Sequence, residues 1–403
     1  MERLILPQAA WRDRAGLAAL CTTLGAAQGD ARFVGGAVRD TLLELPVQDI
    51  DIATRLTPET VLQRLKDADI RAVPTGLAHG TITAVLPDGP VEVTTLRRDI
   101  ATDGRHATIA FTDDWKDDAA RRDFTINALY ADPLTGALFD YFGGLDDLAA
   151  RQVRFIGDPL QRIAEDHLRI LRFFRFLARF GDVADPAGIA ACTARANDLM
   201  ALSRERIADE LLKLLRVPGA ATIVPMMISN GILAPVLPEV TSANRLIRLI
   251  VLEKEAGIPG DPIRRLAALL ANQPALGEAI GARLKLSIAN RKRLMLALDT
   301  TPPSNPRALA YRIGVEGAID RLLLHSPAEN AIEQLGLLSN WAPPRLPISG
   351  GVLVERGIDR GPDVARTLRQ IEDQWVAENF PDDARLSAII DAAVDQALRA
   401  TKN

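Results

Sequence analysis

Asp49 and Asp51 alternate with Ile50 and Ile52 in the run Gln-Asp-Ile-Asp-Ile-Ala-Thr. Residues two apart on a strand share a face, so both carboxylates project one way and both isoleucines the other. A strand with one apolar face and two acids on the other suits a bound cation. Mg²⁺ takes oxygen ligands and is commonly held by one or two carboxylates together with substrate phosphates. Upstream, Gly35 and Gly36 stand where a strand hands over to a helix, with Arg39 one helical turn later. A glycine turn of this kind presents backbone N–H groups to an anion. An isolated Asp-x-Asp is ordinarily a solvated strand face, an isolated Gly-Gly a turn, and Arg39 can pair with Asp40 or Glu44. The spacing of all three raises the alternative of a metal side and a triphosphate side in one unit. Two cations bridging carboxylates stabilise both the attacking and the leaving oxygen of an in-line displacement at phosphorus. Glu92, on a neighbouring short strand, is the candidate third catalytic acid; its alternative is an exposed strand carboxylate.

The elements that must position these residues are predicted as follows. Residues 31–54 read as strand, turn, helix, turn and strand. Residues 11–30 carry Leu17, Leu20 and Leu24 at helical spacing. Thr57-Pro58-Glu59 opens another helix, with Thr57 as cap and proline in the first turn. Residues 80–86 and 91–95 alternate as strands around Pro87-Asp88-Gly89. Residues 97–118 are polar, charged and glycine-containing and read as a long loop, of the kind that is often functional. From Leu145 onward β signals nearly vanish, which places a boundary near 143, with further breaks at Pro218-Gly219, 257–262, 301–306 and 342–351.

Residues 162–177 read as one helix, with Ile163, Ile170, Leu171, Phe174 and Leu177 on one side and Arg162, Glu165, Asp166, Arg169 and Arg172 on the other. Asp166 and Arg169, three apart, are neighbours on the polar side. A salt-bridged solvent face explains this pattern; so does a base-reading pair. Cytosine and adenine both present an exocyclic amine beside a ring-nitrogen acceptor, and uracil and guanine present a carbonyl there. An Asp accepting from the amine and an Arg donating to the ring nitrogen accept C or A and leave buried polar groups unpaired with U or G. Arg283, Lys285, Arg291, Lys292 and Arg293 lie in an acid-free basic stretch suited to RNA phosphates, or to a solvated helix face.

At 403 residues the chain exceeds one ordinary core. A net charge of −4 argues against an overall basic coat without excluding local basic patches. Two cysteines, Cys21 and Cys192, support neither a disulfide framework nor a cysteine zinc site and suit a reducing compartment. No apolar run is long enough for a bilayer and the start lacks a signal-peptide pattern, so the expected location is cytoplasmic and away from membrane.

Phe-Val-Gly-Gly-Ala-Val-Arg-Asp with Asp-Ile-Asp-Ile-Ala-Thr, then Arg-Arg-Asp-Phe-Thr-Ile-Asn-Ala, then Glu-Asp-His-Leu-Arg-Ile-Leu-Arg-Phe-Phe-Arg-Phe, in that order, resemble the class II tRNA nucleotidyltransferase/poly(A) polymerase family over residues 30–240. The resemblance implies an α+β fold: a polymerase-β-like nucleotidyltransferase head with a small mixed sheet (1–142), a helical neck (143–217), and a helical body and tail that bind tRNA (218–403). It implies untemplated addition of C, C and A to the tRNA 3′ end from CTP and ATP with Mg²⁺. By motif position Asp49 and Asp51 match the metal-binding acids. Gly35, Gly36 and Arg39 match the triphosphate contact, and Arg121, Arg122, Asp123 and Asn127 the nucleotide and sugar contact. Asp166 and Arg169, with Arg172 beside them, match the base selector. Arg97 to Arg105 falls on the family's flexible loop. Glu44 stands where the family often has glycine, implying a shifted helix end, and His167 where it has a smaller residue or proline. The Gly-Arg-Arg-Phe stretch and basic tail of the poly(A) polymerases are not present here, and the flexible loop missing from CC-adding relatives is. Full CCA addition is therefore favoured over poly(A) or partial addition. A catalytically silent RNA-binding module is disfavoured by the intact acid pair, and a dinucleotide-binding dehydrogenase by the lack of a Gly-x-Gly-x-x-Gly run.

Overall fold

The computed structural model describes residues 4–102, 107–300, 305–359 and 361–400. The chain forms two compact units, Met1–Pro238 and Glu239–Asn403.

In the first unit, residues 11–30, whose leucines stand at helical spacing, are not one helix. A 3-10 turn at Ala10–Asp13, the helix α1 (Leu17–Thr23) and a 3-10 turn at Ala26–Gln28 are separated by Gly16 (φ 83°) and Gly25 (φ 79°). Both glycines adopt the left-handed conformation that ends helices, and this overrides the leucine spacing. The core elements follow: β1 (Ala31–Val34), α2 (Gly36–Leu42), β2 (Asp51–Thr54), α3 (Pro58–Asp67), β3 (Ala72–Gly76), β4 (Thr81–Leu86) and β5 (Gly89–Thr95). Thr57 caps α3 by accepting from the Thr60 amide, with Pro58 in the first turn. Helix α2 ends with Glu44 at φ 55°. The left-handed position that glycine commonly fills is taken here by a glutamate, at a cost of about 1 kcal/mol.

The described residues of 97–118 are not a loop. β6 (Arg97–Thr102) and β7 (Ala107–Phe111) pair antiparallel, and α4 (Trp115–Ala120) follows, capped by Asp114. The backbone ladder of a two-stranded ribbon tolerates polar side chains, so hydropathy does not announce it. Arg105 lies outside the described residues. Strands β8 (Leu129–Ala131) and β9 (Leu138–Asp140) complete a seven-stranded sheet of order β3-β4-β5-β2-β1-β8-β9. Only the central β2–β5 pair is parallel, and its register sets Asp51 opposite Glu92.

Helices then take over: α5 (Gly144–Ala149), α6 (Pro159–Glu165), α7 (Arg169–Phe180), α8 (Pro186–Ala194), α9 (Arg204–Arg216) and α10 (Ala220–Ser229). The predicted helix 162–177 is broken. Asp166 is extended at φ −150°, ψ 106°, and its Oδ1 accepts from the Leu168 amide, so α6 stops and α7 restarts three residues later. An Asp that caps the next turn competes with helix continuation. His167 sits in the break with Nδ1 3.0 Å from the Ile163 carbonyl oxygen. Helix α7 is fastened to the sheet side by aromatic packing: Phe155 stacks on Phe173 at 5.3 Å, and Phe124 meets Phe155 and Phe176 at 5.0 and 5.2 Å.

The second unit is helical, including α11 (Asn244–Glu255), α12 (Pro262–Ala268), α13 (Pro274–Arg283), α14 (Ile288–Ala297), α15 (Pro306–Ile313) and α16 (Val315–His325). Beside its apolar core it buries a charge network. Asp320, 0% exposed, accepts from Arg264 Nε at 2.8 Å and Arg293 Nε at 2.6 Å, while Glu253 accepts from Arg264 at 2.7 Å and Arg265 at 2.8 Å. Asp320→Ala removes the fully buried acceptor shared by Arg264 and Arg293, leaving Arg264 with Glu253 and part-buried Arg293 with Asp261 and Glu316. It is expected to cost about 3–5 kcal/mol, read as a fall in the urea midpoint of this unit. An unchanged midpoint would show the network to be energetically idle. No helix among the described residues is long and apolar enough to cross a membrane.

Candidate active site

An open cleft of about 670 Å³ lies wholly within the first unit. The acids come from the edge of β2. Ile50 and Ile52 are 1% and 0% exposed, Asp49 is exposed and Asp51 part-buried, so the alternation holds although Asp49 precedes the strand proper. Asp49 and Asp51 both line the cleft. Glu92 does not line it, but sits on the same sheet face, opposite Asp51 in register. Burial, reinforced by the Glu92 and Asp49 charges, pushes the Asp51 carboxyl up to about 6. Repulsion among carboxylates held together by the fold is what a divalent cation relieves. Among the described residues no three His, Cys, Asp or Glu side chains gather into a complete protein cage. The donor set is thus a carboxylate pair needing further oxygens, which fits a cation whose shell is completed by substrate phosphate and water.

The glycine turn borders the acids. Gly35 has φ 68°, and a methyl there would come within 3.4 Å of Arg122 Nη1. The guanidinium of Arg122 therefore lies against the turn where an anion would sit. Arg39 also lines the cleft but is only 6% exposed. Its Nη2 pairs with Asp40 at 2.6 Å, Nη1 donates to the Asn127 side-chain oxygen, and its guanidinium lies 4.1 Å over the Phe180 ring. Burial lowers its proton affinity, with Asp40 opposing. Arg39 thus shapes the floor from a fixed, already paired position.

Arg121, Arg122, Asp123 and Asn127 line the same wall. Asp123 Oδ1 accepts from Asn127 Nδ2 at 2.9 Å, and Oδ2 accepts from Arg172 Nε at 2.7 Å, so a head residue is tied to α7. Burial opposes ionisation of Asp123, but Arg172 and Asn127 overcome it and hold its carboxyl at about 2. Arg97, at the root of the hairpin, lines the cleft as well.

Asp166, Arg169 and Arg172 come from the helix break and α7 and open into this cleft. Asp166 and Arg169 are not side-chain neighbours on a continuous helix, as the single-helix reading required. Each has its own holder. Arg206 Nη2 donates to both Asp166 oxygens at 3.1 and 3.0 Å. Arg169 donates to Glu165 at 2.6 Å and to the carbonyls of Arg162 and Arg121, both at 2.9 Å. The pair is consequently placed by two further segments of chain, not by helical spacing.

Four cleft residues were not singled out from the sequence as site residues: Leu168, Arg175, Phe176 and Arg206. Arg175 is held by Glu210 on α9, a contact between distant segments that no local pattern reveals. The predicted basic stretch lies in the second unit and is largely neutralised: Arg283 pairs with Glu239 at 2.6 Å, Arg291 with Glu278, and Arg293 with Asp320 at 2.6 Å and Glu316 at 2.7 Å. Lys292 is exposed, and Lys285 has a positive φ of 53°.

Residues 31–154 match the family described as Poly A polymerase head domain, and residues 185–244 the one described as probable RNA and SrmB-binding site of polymerase A. The chain is 36% identical to the mitochondrial CCA tRNA nucleotidyltransferase 1 of Mus musculus, over 91% of this chain and 87% of that protein. It is 32% identical to the CCA-adding enzyme of Streptococcus gordonii, over 89% and 92% of the two chains. Among solved structures, the Bacillus stearothermophilus CCA-adding enzyme in complex with CTP superposes with a TM-score of 0.75 at 27% identity, covering 96% of this chain and 98% of that one. The Thermotoga maritima CCA-adding enzyme complexed with tRNA shares the fold, with a TM-score of 0.68 at 20% identity, over 96% and 95%. Identity of this order over most of both lengths shows that the chain belongs to the CCA-adding tRNA nucleotidyltransferases of the class II nucleotidyltransferase/poly(A) polymerase family.

Proposed function

We propose that the protein adds C, C and A without a template to the 3′ end of tRNA, taking CTP and ATP as donors and Mg²⁺ as its cation. The observation that carries this reading is one cleft holding an acid pair, a glycine turn backed by arginines, and an Asp and an Arg fixed from separate segments.

The residues divide the work as follows. Arg122 and the amides of the Gly35–Gly36 turn receive the triphosphate, and Arg39 supports them from beneath. Asp49 and Asp51 would hold the cation, which when bound would neutralise the phosphoryl oxygens and lower the proton affinity of the attacking hydroxyl. Glu92 faces Asp51 across the β2–β5 register and acts as the third acid. Asp166 accepts from the exocyclic amine of cytosine or adenine, and Arg169 donates to the ring nitrogen. Uracil and guanine place a carbonyl oxygen against the Asp166 carboxylate, and that unpaired contact rejects them. Asp123 joins the two halves through Asn127 and Arg172.

Residues 1–142 act as catalytic head, 143–217 as the base-selecting neck, and 218–403 as the tRNA-holding body and tail. In the last of these, the ion pairs of Arg283, Arg291 and Arg293 reduce the counterions they can release to RNA. Lys292 is the member of that stretch assigned to a phosphate contact. Buried thiols at Cys21 and Cys192 suit a reducing compartment, with the cytoplasm as our assignment.

The test is to incubate the purified protein with tRNA lacking its last three nucleotides, supply CTP and ATP singly and together, and sequence the products. CC with CTP alone and CCA with both are expected. Poly(A) tails, products stopping at CC in the presence of both nucleotides, or no extension would each refute the assignment.

A further inference from the structure

Asp118, on the short helix α4, is 1% exposed and does not line the cleft, yet three of the cleft's arginines are set by it. Its Oδ1 accepts from Arg121 Nε at 2.8 Å, pairs with Arg121 Nη2 at 2.8 Å, and accepts from the Arg97 amide at 3.3 Å. Its Oδ2 accepts from Arg122 Nη2 at 3.3 Å and from the Tyr130 hydroxyl at 2.7 Å. Tyr130, itself 0% exposed, in turn accepts from Arg122 Nε at 3.3 Å. Burial opposes the charge on Asp118, but Arg122 and Arg121 more than offset it and hold the carboxyl at about 2.

A guanidinium on a free side chain samples many rotamers, and fixing it against a ligand costs entropy at each binding event. A buried carboxylate that holds the guanidinium from behind removes that cost beforehand. Here the held group is the one lying against the Gly35 turn. The same short segment presents the Arg121 carbonyl to Arg169 and the Ala120 carbonyl to Arg162. The Arg97 amide adds the root of the β6–β7 hairpin to the same oxygen.

We propose that Asp118, with Tyr130 as its buried companion, is the positioning residue of the nucleotide site: one carboxylate that pre-sets Arg121 and Arg122 by their side chains and Arg97 by its backbone for the incoming triphosphate. The proposal rests on the nucleotidyl-transfer reading of this cleft. Neither Asp118 nor Tyr130 reaches the cleft, so any effect on nucleotide must pass through the arginines.

The experiment measures CTP affinity by titration calorimetry on the full chain, together with KM and kcat for CTP and ATP on tRNA substrates, for wild type, Asp118→Asn and Tyr130→Phe. Asp118→Asn is expected to weaken CTP binding and raise both nucleotide KM values by about tenfold, the loss of a charge-assisted hydrogen-bond set, with a smaller change in kcat and an unchanged KM for tRNA. Tyr130→Phe is expected to do the same by about threefold. In an Arg122→Met background, Asp118→Asn is expected to weaken CTP binding by clearly less than it does alone. Wild-type CTP affinity and nucleotide KM in both variants, or equal losses for nucleotide and tRNA, would overturn the proposal. If Asp118→Asn does not fold, Tyr130→Phe decides by the same readout. Wild-type protein that binds CTP but extends no tRNA would refute the functional reading instead, and leave the affinity comparison to judge Asp118.

Discussion

Asp51→Asn is expected to reduce nucleotide addition by at least about a thousandfold while raising the thermal stability of the metal-free protein. The two effects have one cause. Asp51 is the more enclosed of the acid pair, and burial with its acidic neighbours pushes its carboxyl up from 3.8 to about 6. The folded chain therefore favours the protonated form more than the unfolded chain does. The sign follows: this group opposes folding at pH values above about 6, and its penalty fades as pH falls through 6 toward 3.8. Asparagine keeps the shape and removes the charge, so at pH 8 it relieves an unfavourable contribution of about 1–2 kcal/mol, after allowing for partial exposure. In the proposed metal role, the same repulsion would make the ionised pair avid for a cation, and it would be lost in the variant. Activity with quantified tRNA product and melting in the presence of a chelator check the two arms. A variant that stays active would refute Asp51 as a cation ligand. One that is inactive and also less stable would show that Asp51 serves the fold.

Asp166→Ala is expected to lower the preference for CTP over UTP, and for ATP over GTP, by about a hundredfold or more in kcat/KM. The size of the effect comes from what surrounds the carboxylate. Arg206 and the Leu168 amide fix its oxygens, and Arg169 is held by Glu165 and two carbonyls. Held in this way, Asp166 cannot swing aside to accept a carbonyl edge, so in the proposed base-reading role discrimination would be built into its position. Alanine removes the acceptor and leaves a site that takes any base weakly. Global stability should change little, because both members of the Arg206–Asp166 pair are about a third exposed. Single-turnover addition with each of the four nucleotides checks this, and an unchanged four-nucleotide profile would rule out the base-reading role.

Much of the site is legible in short stretches of sequence because its parts are local. The alternation of Asp49, Ile50, Asp51 and Ile52 needs only the strand period, and the Gly35–Gly36 turn only the φ that glycine admits. The helix 162–177 was legible in its faces but not in its continuity, because the break depends on one Asp side chain turning back to the Leu168 amide. The hairpin at 97–111 was illegible for a different reason: its ladder is made by backbone groups, to which a polar sequence gives no clue.

What the sequence by itself determined, then, is the chemistry available: two acids on one face, a double-glycine turn at a helix start, and an Asp and an Arg suited to the edge shared by cytosine and adenine. What only the tertiary structure decided is which of these groups are held and by what. Arg39 proves buried and already paired, Arg283, Arg291 and Arg293 are tied to acids outside their own stretch, and Asp166 is fixed by an arginine forty positions away. Asp118, inconspicuous in an acidic helix, turns out to hold two of the cleft's guanidiniums and the amide of a third arginine. The physical reason is that side-chain identity and spacing set what a residue can do. The partner that orients and charges it is brought in by packing between segments distant in the chain, and no local period encodes that.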